Sequence, residues 1–107
     1  MQVLVIARVR AGVSVEQILP FVSAEASQVW EFYASEQIRQ MYYIADRGGA
    51  VMFWEGESVE SVTQQVQNLP MVKEGFLVCE ILPLKPFTGY VSLFAQPYGD
   101  KHKSDRV

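Results

Sequence analysis

Three polar residues of this 107-residue chain stand where chemistry is the natural question. Glu25 falls inside an apolar stripe, Ile18, Val22, Ala26, Val29, Phe32 and Tyr33, whose i, i+3, i+4 spacing belongs to a helix packed on a sheet. A carboxylate withdrawn from water there either finds a partner or holds its proton more tightly. A carboxyl whose pKa is moved toward the working pH can serve as a general base. The structural alternative sets Glu25 at the edge of the stripe, paired with an arginine. Arg39 lies near the start of the run IRQMYYIADR, and its planar fork fits a carboxylate on two bonds. It is a candidate anchor for an anionic ligand, or the ion-pair partner of Glu25, Glu55 or Glu80. Strand parity sets Arg39, Met41 and Tyr43 on one face and Ile38, Gln40, Tyr42 and Ile44 on the other. Tyr43 therefore shares a face with Arg39, and its hydroxyl is suited to donate to a developing oxyanion.

Aromatic residues offer a second kind of site. Trp30, Tyr33, Phe53 and Trp54 are candidates for a wall against a planar ligand, with Trp30 and Phe53 the substrate-binding choices beside Arg39. Core or subunit packing is the competing use of the same rings. Cys79, the sole cysteine, alternates with Val78 and Glu80 along a strand and reads as a buried inert thiol. No second cysteine or nearby histidine completes a metal site or an internal disulfide. His102, the one histidine, falls in a charged tail, whereas haem or zinc needs a ligand on a rigid element, so no metal and no cofactor is expected.

Composition narrows the partners further. Nine basic and twelve acidic residues are scattered to a net charge of −3, with no Lys/Arg cluster to follow phosphates, which argues against nucleic acid. Nothing approaches the roughly 20 apolar residues of a membrane span. The opening MQVLVIARVR alternates and lacks the charged n-region of a signal peptide. The expectation is a soluble protein of the reducing cytoplasm.

The elements that must position these side chains follow from pattern. Gln2 to Arg10 reads as a strand with faces Val3, Val5, Ala7, Val9 and Leu4, Ile6, Arg8, Arg10, closed by Ala11-Gly12. Ser14 and Gln17 have capping-box spacing, which predicts a helix from there to about Ser35 with an irregular turn at Pro20. Ile38 to Arg47 and Ala50 to Glu55 flank Gly48-Gly49, the dipeptide of a tight hairpin. Ser58 begins a second helix with the stripe Val59, Val62, Val66, Leu69, which Pro70 ends, and Phe76 to Leu82 forms the fourth strand.

The order β-α-β-β-α-β predicts an α+β fold of the ferredoxin-like kind, a four-stranded antiparallel sheet with both helices on one face. The bare face must then carry several of Ile38, Met41, Tyr42, Tyr43, Met52, Phe53 and Trp54. A patch of that size marks an interface, so two copies packed sheet to sheet into a dimeric α/β barrel are expected. One domain spans 1–98, including an aromatic, Pro-punctuated arm at 84–98 suited to docking on a neighbour. Residues 99–107 read as a disordered charged tail.

The segments SAEASQVWEFYASE, IRQMYYIAD and AVMFWEGESVESV, with QNLP closing the second helix, resemble the muconolactone isomerase-like members of the dimeric α/β-barrel superfamily from about Ser23 to Pro86. The resemblance implies a cleft between the first helix and the sheet that takes a small lactone or organic acid and shifts a double bond by proton abstraction and return. It sets Glu25 at the family's acidic position and Arg39 at its basic one. Gln40 stands where the isomerase has a histidine, Arg47 lies near the hairpin where a basic residue or histidine is expected, and Tyr42-Tyr43 replace a Trp-Arg pair. Three uses of the fold remain open: a cofactor-independent isomerase-like enzyme with Glu25, Arg39 and Tyr43 as catalytic residues, a ligand-binding dimer without turnover, and an assembly module docking through Phe87 to Phe94.

Overall fold

A computed structural model describes residues 1–95. Strand β1 (Gln2–Val9) buries Val3, Val5 and Ala7 and turns Leu4 and Ile6 the other way, as its alternation predicts. Ser14 caps helix α1 (Val15–Ile18) through the full capping box with Gln17. Pro20 then forces a 3₁₀ turn over Leu19–Phe21 before helix α2 (Val22–Ala34), so the predicted single helix is two segments with the irregularity at the proline.

Strand β2 (Ile38–Tyr43) is antiparallel to β3 (Gly49–Glu55), which is antiparallel to β1, and the final strand β4 (Leu77–Pro83) flanks β1 on its other side. The sheet order is β2-β3-β1-β4, the ferredoxin-like arrangement, with α2 and α3 (Val59–Gln67) supplying the crossovers. The core is one cluster between sheet and helices: Val3, Val5, Ile38, Met52 and Trp54 meet Val62, Val66 and Leu69, and Phe32 of α2 sets its ring 4.9 Å from that of Trp54.

Three local expectations are corrected. The hairpin is not a two-residue turn on Gly48-Gly49: β2 ends at Tyr43, the connection runs over 44–48, and of the two glycines only Gly49 has positive φ, +133°. Gly49 is required for a different reason, since a Cβ there would lie 2.4 Å from the Ala7 carbonyl oxygen of β1. Gly49→Ala should therefore push β3 off β1 and cost about 2–3 kcal/mol, read as a fall in the urea midpoint at unchanged slope; an unshifted midpoint would contradict the close approach.

Pro70, expected only to end the second helix, also begins a further turn, α4 (Pro70–Lys73), with Leu69 as its extended cap. Proline suits a first helical position, where its missing N–H has no partner to lose.

The third correction concerns parity. A bulge between Ile38 and Gln40 leaves Arg39 without a Cα partner, so Ile38 pairs with Trp54 and Met41 with Met52. Ile38 therefore joins Met41 and Tyr43 on the helix side rather than opposing them. Met52 and Trp54 are also on the helix side, so of the residues expected on the bare face only Tyr42 and Phe53 are there, beside Leu4, Ile6, Val51, Val78 and Leu82.

Beyond β4, Leu84 N–H bonds the Gln2 carbonyl at 2.9 Å and the chain then leaves the sheet. A 3₁₀ segment, Gly89–Phe94, presents Tyr90, Leu93 and Phe94 as exposed side chains, and Phe87 just before it is exposed as well. Of the predicted arm, residues 96–98 lie outside the described residues, as do the tail at 99–107 and His102.

Candidate functional site

Helix α2 turns Val22, Glu25, Ala26, Val29, Trp30 and Tyr33 to one side, positions related by three and four residues along one helical face. That face does not close on the sheet. Between it, the Val9 end of the sheet and the α4 turn lies a cavity of about 820 Å³. Ala7, Met52 and Leu69 form buried parts of its lining. Trp30, 63% exposed, and Tyr43, 91% exposed, stand at its mouth.

Glu25 is half-buried in this lining, and among the described residues no arginine pairs with it. Its Oε1 instead accepts the backbone N–H of Met71 at 2.9 Å, a donor freed because α4 begins at Pro70 and the first N–H groups of a helix have no internal acceptor. Burial raises the Glu25 pKa above the ordinary carboxylate value, and the Met71 bond opposes the rise with a smaller effect. Cys79, on the neighbouring β4, is pushed up by its own burial and by the Glu25 charge. Its sulfur therefore stays a thiol, in keeping with the inert reading.

The raised carboxyl has a consequence for stability. Between the unfolded and the raised folded value the native state binds more proton than the unfolded chain, so stability is highest below the unfolded value and falls as pH rises through the raised one. Urea midpoints taken from about pH 4 to pH 8 should decline across that window, and Glu25→Gln should flatten this limb. A decline of equal steepness in the variant would assign it to other groups.

Arg39 also lines the cavity, at the bulge, and reaches a smaller concavity on the bare face with Gln2, Gln40, Phe53 and Glu55. Among the described residues it makes no hydrogen bond or ion pair: Glu55 binds the terminal amine of Met1 at 2.7 Å and Glu80 binds Arg8 at 3.3 Å. Arg47 is held by Asp46 in the hairpin loop, outside the cavity lining. The structure thus brings Glu25, Arg39, Tyr43, Trp30 and Tyr33 to one cavity.

It does not bring Phe53 or Trp54 there, so the aromatic wall is a correction. Phe53 pairs with Leu4 across the bare face, on the other side of the sheet from Glu25. Trp54 is wholly buried in the core, and its indole N–H has no acceptor among the described residues. Met41 and Met52, expected in an interface patch, line the cavity instead, together with Met71 and Cys79. Periodicity within β2 and β3 carried a signal for the first two, whereas Met71 reaches the cavity through the unforeseen α4 turn.

Among the described residues no group of three or more His, Cys, Asp or Glu is placed to hold a metal ion, and no helix is long and apolar enough to cross a membrane.

The sheet order and the helix-covered cavity define an α+β domain of ferredoxin-like fold. Within that class the chain has the muconolactone isomerase-like fold. It is similar to muconolactone isomerase itself at TM-score 0.69 and 14% identity, over 82% of this chain and 92% of that one. It is similar also to 5-chloro-2-hydroxyhydroquinone dehydrochlorinase of Burkholderia phenoliruptrix AC1100, solved with 2,5-dihydroxybenzoquinone, at TM-score 0.68 and 21% identity over 81% of this chain and 96% of that one. No protein-family model matches the chain, and no curated protein sequence does.

Proposed function

We propose that the chain is a cofactor-independent, isomerase-like enzyme that moves a proton within a small lactone or organic acid, working as a homodimer. The observation that carries this reading is Glu25: a carboxyl with a raised pKa in the wall of a mostly apolar cavity large enough for an organic ligand. Its Oε1 is held by the Met71 N–H, which leaves Oε2 without a donor among the described residues. Oε2 takes a proton from the carbon between the ligand's carbonyl and its double bond, which leaves a dienolate whose negative charge is shared by the carbonyl oxygen and the far carbon of the double bond. The same carboxyl returns the proton at the far end of the conjugated system, so the bond shifts with no net gain or loss of atoms. Arg39, which makes no hydrogen bond or ion pair among the described residues, anchors a ligand carboxylate, and Tyr43 at the mouth donates to the developing oxyanion. The relatives in fold whose names state a substrate act on compact cyclic compounds, a lactone and a hydroquinone, of a size the cavity admits.

A ligand-binding role without turnover is the second reading, favoured because no histidine lines the cavity among the described residues, so one carboxyl must serve as both base and acid. Substituting Glu25 and following turnover of an unsaturated lactone separates the two readings.

The homodimer rests on the bare face. Four strands about 4.8 Å apart and about seven residues long at about 3.4 Å each give a footprint of about 450 Å². That is short of the roughly 800 Å² per partner of a standard interface. The exposed arm supplies further apolar area. It leaves the sheet beside Gln2, the end of β1 remote from the cavity.

A further inference from the structure

The cavity has room for more than one ring. Its volume of about 820 Å³ is toward the upper end of the range of about 300–1,000 Å³ for ligand pockets. Where no ligand fills it, such a space holds water. A single-ring compound leaves most of that water against apolar walls, where its displacement is the main source of binding free energy.

The walls also choose a kind of surface. Three of the chain's four methionines, Met41, Met52 and Met71, and its only cysteine, Cys79, line this one cavity from β2, β3, α4 and β4. Thioethers are polarizable, adapt in shape, and make favourable contacts with the edges of aromatic rings. From α2 come Trp30 and Tyr33, whose ring centroids are 5.8 Å apart. Sulfur and aromatic walls together favour a flat, polarizable ligand over a saturated one. Polar groups are few, the Glu25 carboxyl, the Arg39 guanidinium, the Gln40 amide and the hydroxyls of Tyr33, Tyr42 and Tyr43, so the ligand carries few polar groups, and one of them meets a carboxyl.

We propose that the natural ligand is a polycyclic hydroxyarene: fused aromatic rings that occupy the sulfur-lined space, with a phenolic hydroxyl hydrogen-bonded to Glu25. This rests on the proton-transfer reading of the same site, keeps Glu25 as its base, and replaces the small lactone or organic acid by a larger enol. A hydroxyarene is the enol of a cyclic dienone, and a carboxyl that takes the O–H proton and delivers one to a ring carbon interconverts the two without any co-reactant.

Titration calorimetry of the full chain with phenol, 2-naphthol, 9-phenanthrol and naphthalene tests the ligand class without requiring turnover. Affinity should rise at least tenfold from phenol to 2-naphthol and again to 9-phenanthrol, and 2-naphthol should exceed naphthalene at least tenfold. Glu25→Leu should remove the preference for 2-naphthol over naphthalene and keep the gain with ring number. Ala26→Phe, which fills the cavity from an exposed helix position, should weaken 9-phenanthrol at least tenfold and spare phenol. Equal affinity across ring number, no preference for the hydroxyl, or 9-phenanthrol binding unaffected by Ala26→Phe would each overturn the proposal. Solvent deuterium entering the bound ring reports separately on proton transfer. Binding as described without deuterium entry removes the catalytic reading and keeps the ligand class; deuterium entry into a lactone alongside flat ring-number dependence does the reverse.

Discussion

Glu25→Gln lowers turnover of an unsaturated lactone by about 10² to 10⁴-fold, the usual contribution of a positioned general base, and leaves the far-ultraviolet circular dichroism unchanged. Glutamine has the same shape, and its carbonyl still accepts the Met71 N–H that holds Oε1 at 2.9 Å. The link between α2 and α4 is therefore kept. What it lacks is the capacity to take and return a proton. The wild-type rate should climb with pH through the raised Glu25 value, because the base is active only when deprotonated, and no such limb should remain in the variant. Wild-type turnover in Glu25→Gln would take the carboxyl out of the mechanism.

Phe53→Glu is expected to turn the proposed homodimer into a monomer, read by sedimentation equilibrium or light scattering over a wide concentration range. Phe53 lies on the bare face with Leu4 and Gln40 as cross-strand neighbours, in the middle of the surface that a second sheet would cover. A carboxylate there must be desolvated against an apolar partner face, and a two-fold axis brings a second copy of the same charge close by. Truncating one partner of a central contact commonly costs 2 kcal/mol or more; an inserted unpaired charge costs more, so association should weaken by at least about 100-fold. The monomer should stay folded, because Phe53 faces away from the core of Trp54, Ile38 and Val62. A dimer that survives Phe53→Glu would place the interface elsewhere, with the arm the next surface to test.

How far the residues themselves foretell this arrangement differs from element to element. The faces of β1, the capping box at Ser14, the irregular turn at Pro20 and the stripe of α3 are local, and each is found where spacing alone sets it. Glu25 stands out because a helical face of 3.6-residue period makes a carboxyl among apolar neighbours conspicuous. Its partner does not, since a backbone N–H has no signature in side-chain type. The bulge at Arg39 is also silent: no glycine marks it, and it arises because Ile38 must meet Trp54 in the core while Met41 meets Met52. One unpaired residue was enough to misplace Ile38 and to make Arg39 look like an ordinary member of the Met41 and Tyr43 face. Phe53 is equally hard to place from sequence, because an aromatic on a strand does not by itself declare which layer it faces.

The two tryptophans give the protein a pair of separable optical gauges. Trp54 is fully enclosed, so its emission should be blue-shifted, resistant to iodide quenching and lost only on global unfolding. Trp30 stands at the cavity mouth, largely open to solvent, and should emit at longer wavelength and be readily quenched. A Trp30→Phe chain would then follow unfolding alone, and the quenchable fraction of the wild type would follow the cavity, in one sample and without a label.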